Sequence, residues 1–429
     1  MPAPPVLRVG LIGAGTVGSE VAHRLLSSAD VLRRRAGCEL VLRRVAVRDG
    51  ARDRPRVPRA LLTTDVGAVI EDGEIDVVVE LAGGEEPART FIERSIKARK
   101  HVVTANKVVM ARHGPELLEL AGEMDVEVYF EAAVGGGIPL ISTFKIDLAA
   151  NRLERVAAII NGTTNFMLSR MAANGQPFED VLAEAQRAGY AEADPTEDVD
   201  GHDAASKLAI MASIGFGVRV HPRDVFCEGI RGVEPVDFRY ARELGYTIKL
   251  LAYAERGEGG IEARVHPCMV PLVHPLAQVD GVNNAVFVEG DLIGQVMLGG
   301  PGAGARPTTS AVVGDLIDLA RSIGREAHAY RNYTFEDAAL TPVDDVTTRA
   351  YFRCTVEDRP GVLAGICAVF GEEGVSISGA TQKESFEGDG AAEFVVTTHP
   401  ARDGALRRTG RRVAELASVR AVSSFLRVL

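Results

Sequence analysis

Tryptophan is absent from this chain of 429 residues, and lysine is scarce: seven lysines stand against forty-one arginines. Cysteine is also sparse. The five residues Cys38, Cys227, Cys268, Cys354 and Cys367 are odd in number and show no Cys-x-x-Cys spacing. That pattern excludes a legible zinc site or disulfide framework and suits a reducing cytoplasm. No apolar run approaches the roughly 20 residues that span a bilayer. No charged leader precedes Val6, where a strand already begins, so a targeting segment and a membrane partner are not expected. Concentrated positive charge is missing too: the formal net charge is −11, and Arg33–Arg35 and Arg407–Arg412 read as solvated helix faces. Nothing there would displace phosphate counterions, which excludes nucleic acid as a partner. What remains is a soluble, intracellular chain of two or three domains, with an ordinary 46% hydrophobic and 25% charged content.

The scarcity of lysine gives weight to those that remain. An ammonium can shift its pKa and pass a proton, whereas a guanidinium effectively cannot. Two of the seven, Lys107 and Lys207, fall inside motifs.

The first motif follows the apolar run Val6–Ile12, a buried strand, with Gly13-Ala-Gly15-Thr16-Val17-Gly18 and then a helix over 19–26. Glycines placed this way allow a tight turn, close approach of a pyrophosphate and close helix–strand packing, and the helix N-terminus favours the anion. Between a strand and a helix, with further αβ alternation behind it, the fingerprint predicts dinucleotide binding. A second strand, 38–47, ends in Arg48-Asp49. Arg48 suits a 2′-phosphate and so NADP(H), while Asp49 keeps NAD(H) open. A strand over 75–81 enters Ala82-Gly83-Gly84, and after a helix near 86–98 the strand His101–Thr104 delivers Asn106-Lys107 at its carboxyl end. Ligands of doubly wound sheets sit at that end; the plainer reading of Lys107 is a surface loop residue.

Two segments bear on substrate and ion. In 126–139 a strand runs into Gly135-Gly136-Gly137, freeing carbonyls that would suit a hard monovalent cation or, equally, forming a hinge. In 189–207, Glu192, Asp194, Glu197, Asp198, Asp200 and Asp203 crowd beside Lys207, which leads into an apolar helical run. Asp203 and Lys207 stand four apart, on one helical face. Carboxylates for an ammonium and a lysine for a reactive oxygen make one reading; a solvated acidic loop with an i,i+4 ion pair makes the other. A calcium loop fails, because with Gly201 in its glycine slot the last ligand would be Lys207.

Taken in order, the glycine fingerprint, Ala105-Asn106-Lys107, Glu131-Ala-Ala-Val134-Gly-Gly136-Gly-Ile138-Pro139, Asn161-Gly-Thr-Thr-Asn165 and Gly189–Lys207 resemble homoserine dehydrogenase over about residues 6–325. The resemblance implies reversible, NAD(P)H-dependent reduction of L-aspartate 4-semialdehyde to L-homoserine, within threonine, methionine and isoleucine biosynthesis. It implies that Lys207 is the acid/base lysine and that Lys107 lies at the nicotinamide and substrate oxygen. Gly13, Gly15, Thr16, Val17, Gly18, Arg48, Lys107 and Gly302 would contact the cofactor. Gly189, Glu192, Asp198, Asp203 and Lys207 would contact substrate. Glu131, Val134, Gly136 and Ile138 would hold sodium, largely through main-chain oxygens.

The fold it implies has three parts. Residues 1–135, completed by about 305–328, form an α/β Rossmann-type dinucleotide-binding domain. Residues 136–304 form an α+β catalytic and dimerisation domain with an open sheet. Within it, strands are expected near 156–160, 261–271 and 285–289, and helices over 179–188, 203–214 and 241–251. A loop-rich connection over about 328–348 leads to a separate unit, 349–429, in βαββαβ order, a ferredoxin-like plan. Its segment Asp358-Arg-Pro-Gly-Val-Leu-Ala-Gly365 resembles the ligand loop of ACT domains. That implies feedback control by L-threonine, against an assembly module that has lost its ligand. The resemblance is to the monofunctional form, without a fused aspartate kinase, and implies a homodimer or higher homo-oligomer. A different amino-acid semialdehyde as substrate, or a silent nucleotide-binding sensor, are the alternatives; retention of both lysines speaks against the second.

Overall fold

The computed structural model describes residues 6–257, 259–324, 333–384 and 390–429. The chain divides into two compact units. The first comprises Met1–Glu154, Ser206–Pro222 and Val288–Ala338, and the second Arg155–Ala205, Arg223–Phe287 and Ala339–Leu429.

The first unit is built on a six-stranded parallel sheet. Its order is Leu62–Thr63, Glu39–Ala46, Val6–Ile12, Val77–Glu80, His101–Thr104 and Val128–Tyr129. Strands buried on both faces lose polar alternation, which is why Val77-Val78-Val79 reads as an unbroken apolar run. The strand order reverses between Val6–Ile12 and Val77–Glu80, and the crevice at their carboxyl ends is where such sheets bind ligands. One face is covered by the helices Thr16–Ser27 and Ala305–Gly324, which bury Val21, Leu25, Val312, Leu316 and Leu319 with Val9, Leu11 and Val79. The helix Ala305–Gly324 falls within the stretch 305–328 expected to complete that part. The last expected residues of that part, 325–328, and the start of the connection lie outside the described residues. Among the described residues no helix is long and apolar enough to cross a membrane.

In the second unit the strands Leu153–Ile159, Tyr246–Gly257, Gly260–Pro271, Val419–Val428, Thr347–Glu357, Ala391–Thr398 and Ile377–Glu384 follow one another in a mixed sheet. One expectation fails here. The helix predicted over 241–251 is instead the end of a helix, Pro235–Glu243, and a strand, Tyr246–Gly257. Gly245, at φ +86°, breaks the helix in the left-handed region. The run Ile248–Ala254, apolar except for Lys249, is buried on both sides, which erased the alternation that marks a strand.

The C-terminal part has the expected βαββαβ order, with helices Val362–Glu372 and Asp403–Ala414. It does not stand apart. Its last strand pairs in parallel with Gly260–Pro271 through Cys268–Arg427 and Met269–Val428, so one sheet runs through both parts. Two buried arginines reinforce the junction. Arg353 bonds Asp237 at 2.7 Å and Glu234 at 2.6 Å, and Arg427 bonds Asp403 at 2.6 Å and Glu228 at 2.8 Å.

Candidate active site

The fingerprint glycines do three different things. Gly13 sits at φ +95°, and a Cβ there would come 2.5 Å from the Leu81 carbonyl oxygen. A Cβ on Gly18 would lie 2.1 Å from the Gly13 oxygen, so this glycine allows helix and turn to touch. Gly15 faces open space and is the N-cap of the helix that Thr16 opens. An anion can therefore approach that helix end without meeting a side chain.

A cavity of about 640 Å³ opens beside it, lined among others by Gly13, Gly15, Arg48, Asp49, Arg52 and Arg54. Arg54 is braced by the Ala14 and Asp49 carbonyls at 3.3 and 2.7 Å. The Asp49 carboxylate accepts the Ala51 N–H at 2.9 Å and closes a local turn. The cradle and the basic wall suit the anionic pyrophosphate of a dinucleotide.

A second cavity, about 310 Å³, holds both motif lysines. Lys107 and Lys207 line it together with Val17, Asn106, Gly136 and Gly302. Lys107 is the first residue of the helix Lys107–Glu123, which Asn106 caps by accepting the Val109 N–H at 3.1 Å. Gly136 and Gly302 meet closely, since a Cβ on Gly136 would lie 2.6 Å from Gly302 main-chain atoms.

The segment 131–138 departs from the simple picture of freed carbonyls. Residues Glu131–Ala133 form a 3₁₀ turn, and the buried Glu131 carboxylate accepts the N–H groups of Leu140, Ile141 and Ser142 at 2.5, 2.9 and 2.8 Å. The Glu131 N–H donates to Asp315 at 3.1 Å. Burial first, then the neighbouring Glu131 charge, pushes the Asp315 carboxyl well above its usual range. Sequence reading missed Asp315; it lies 184 residues away on a helix that packs like any other. Val134 and Ile138 are buried beside the two left-handed glycines Gly135 and Gly136. No cluster of three or more His, Cys, Asp or Glu suited to a metal occurs among the described residues. A cation here would rely on main-chain oxygens, a donor set that fits a hard monovalent ion.

The acidic segment resolves into separate tasks. Asp194 accepts the Thr196 N–H at 3.1 Å, and Asp200 pairs with Arg231 at 2.6 Å, so these two build the loop. Asp198 and the buried Asp203 converge on Asn161, whose Nδ2 donates to them at 2.6 and 2.9 Å. Asn161 also caps the helix Gly162–Asn174 by accepting the Thr164 N–H at 2.9 Å. Thr163 donates to the Tyr190 carbonyl at 2.7 Å, tying that helix to the segment carrying Gly189, which turns at φ +75°. Glu192 is exposed. Asp203 and Lys207 share the helix His202–Phe216, one turn apart.

A doubly wound sheet, a dinucleotide cradle and two lysines in the adjoining cavity define a nicotinamide-dinucleotide-dependent oxidoreductase. Family profiles place its members more closely: the homoserine dehydrogenase NAD-binding domain matches residues 13–131, homoserine dehydrogenase 139–317 and the ACT domain 350–413. The homoserine dehydrogenase of Synechocystis sp. is 45% identical over 99% of both chains. The crystal structure of one from Thiobacillus denitrificans superposes with a TM-score of 0.93 at 42% identity, covering 99% of each chain. A hyperthermophilic archaeal homoserine dehydrogenase in complex with NADPH matches 73% of this chain and 97% of its own, with a TM-score of 0.63 at 26% identity. The chain belongs to the homoserine dehydrogenases.

Proposed function

We propose that this homoserine dehydrogenase interconverts L-aspartate 4-semialdehyde and L-homoserine with NADP(H) as its preferred cofactor, Lys207 serving as acid/base and Lys107 as its partner at the reacting oxygen. The observation that carries this reading is the single cavity lined by both lysines. Bound nicotinamide supplies or accepts the hydride. Reduction builds negative charge on the aldehyde oxygen, which an ammonium can stabilise and then protonate. In the reverse direction the neutral amine takes the proton of the alcohol. Asp203, Asp198 and Glu192 supply negative charge for the substrate's ammonium.

Arg48 and Arg52 in the cradle support NADP(H), since the two acids that line it are engaged locally, Asp49 in its own turn and Glu86 with the Thr90 hydroxyl. The NADPH complex of the archaeal relative agrees with that preference. Sodium held by main-chain oxygens of Glu131, Val134, Gly136 and Ile138 is part of the proposal, as is a homodimer. Exposed Leu292 and Ile293, just before the strand Gly294–Pro301, and Met297 within it support a covered face. Control by L-threonine through the ACT domain, work in the cytoplasm and a place in threonine, methionine and isoleucine biosynthesis complete it.

The test is a spectrophotometric assay of the full chain with homoserine and NADP⁺ or NAD⁺, with sodium or potassium varied, with and without threonine. Faster turnover per bound NADP⁺ is expected. Equal efficiency with NAD⁺ would remove the cofactor preference, and indifference to threonine would remove the effector.

A further inference from the structure

Glu80 is fully buried at the carboxyl end of the strand Val77–Glu80, where Val77, Val78 and Val79 would lead one to expect another apolar residue. Burying a carboxylate is costly unless donors surround it. Here two donors do. Its Oε1 accepts the Ala82 N–H at 2.7 Å and its Oε2 accepts the Thr104 hydroxyl at 2.8 Å. Thr104, its register partner on the next strand, in turn accepts the Asn106 N–H at 3.0 Å. Asn106 closes the circuit, its Nδ2 donating to the Gly84 carbonyl at 2.8 Å.

Every donor and acceptor in this ring has one direction. The Asn106 and Ala82 N–H groups can only donate, so the single Thr104 proton goes to Glu80, and Glu80 must accept twice. The ring joins two loops, 81–84 and 104–107, and both line the cavity of Lys107 and Lys207 through Leu81, Gly83, Ala105, Asn106 and Lys107. Asn106 also caps the helix on which Lys107 is the first residue.

We propose that Glu80, acting through Thr104 and Asn106, is the positioning residue that holds Lys107 and the nicotinamide side of the cavity in register for hydride transfer. It touches neither substrate nor cofactor. The inference rests on the reading of Lys107 as a reacting-site lysine. In Glu80→Gln one acceptor oxygen becomes a donor, and in Thr104→Val the relay is cut, while Thr104→Ser preserves it.

The experiment measures kcat, KM for homoserine and NADP⁺, and the isotope effect with homoserine deuterated at its carbinol carbon. Thermal midpoints and affinity for adenosine 2′,5′-bisphosphate, a probe of the adenine side alone, are measured in parallel. Misplacement of the reacting groups predicts a fall in kcat of about 100-fold in Glu80→Gln and Thr104→Val. The isotope effect should rise, bisphosphate affinity should hold, and Thr104→Ser should be near normal. Unchanged kcat and isotope effect in both variants would overturn the proposal. So would parallel loss of turnover and bisphosphate binding, which marks a general structural role. Lys107→Ala separates the two levels: if it retains full turnover the reading of Lys107 fails, and if it alone is crippled only the role of Glu80 fails.

Discussion

The two motif lysines differ in what their loss should do. Lys207→Ala removes the proposed proton donor but no part of the dinucleotide cradle. Turnover should fall about 10²- to 10⁴-fold, the usual worth of general acid–base catalysis, with little change in NADPH affinity by fluorescence titration. Equal damage to both would argue against an acid/base role. Arg48 tests a different chemistry. It lines the cradle at the end of Glu39–Ala46, where a 2′-phosphate would sit. Arg48→Ala should raise KM for NADPH about tenfold or more, the worth of one charge-assisted hydrogen bond, and leave KM for NADH near its starting value. The ratio of the two specificity constants is the readout, and no change in it would reassign the preference to Arg52 or to neither.

Among the elements, the start of the helix Gly162–Asn174 gathers four side-chain hydrogen bonds, from Asn161 to Asp198 and Asp203, from the Thr164 N–H to Asn161 and from Thr163 to Tyr190. Asn161 both caps this helix and holds Asp198 and Asp203 together. Asn161→Ala should cost about 0.5–2 kcal/mol of stability through the lost cap, seen as a lower thermal midpoint. It should also raise KM for homoserine, because two carboxylates lose the amide that spaces them. The sequence showed this segment only as a motif. The reason is physical: Asn161 meets its acids across 37 and 42 residues, a distance no local periodicity encodes. The fingerprint was legible because strand, glycine turn and helix are adjacent in the chain and each glycine has a local task. Lys107 and Lys207 were legible as candidates through scarcity and motif, and their meeting in one cavity followed from the family resemblance, not from their spacing in the chain. Residues 246–251 were read as helix because the middle of the strand Tyr246–Gly257 is buried on both faces, and then only Gly245 and strand pairing with Gly260–Pro271 distinguish the two states.

For the molecule as a whole, the continuous sheet of the second unit changes how regulation can be tested. Removing the chain beyond residue 345 would take Arg353 from Asp237, which is completely buried, and Arg427 from Glu228. It would also strip Val419–Val428 from Gly260–Pro271 and leave that strand an open edge, so the truncated chain is expected to aggregate, as light scattering would show. Substitutions in the loop 358–365 of the full chain are the better probe of threonine. The same sheet sets a pH response. Glu262 faces Glu255 directly across two antiparallel strands, and burial, reinforced by that neighbour against the opposing pull of Arg264, pushes it up to about 7. Glu255 is shifted downward and titrates below this window. The folded chain thus keeps a proton on Glu262 that the unfolded chain releases. Stability from this group falls as pH rises from the ordinary carboxylate range to about 7 and is level above it. Glu262→Gln should flatten that part of the thermal midpoint profile between pH 5 and 8, and an unchanged slope would place the titration elsewhere. Synthesis order adds a last consequence. The strand Val419–Val428 fills the space between Gly260–Pro271 and Thr347–Glu357, yet it leaves the ribosome after both. A nascent chain must hold two unsatisfied strand edges open until then. In a crowded polysome a neighbouring copy could supply the missing strand first, so exchange of this strand between chains is the misassembly to which the architecture is most exposed.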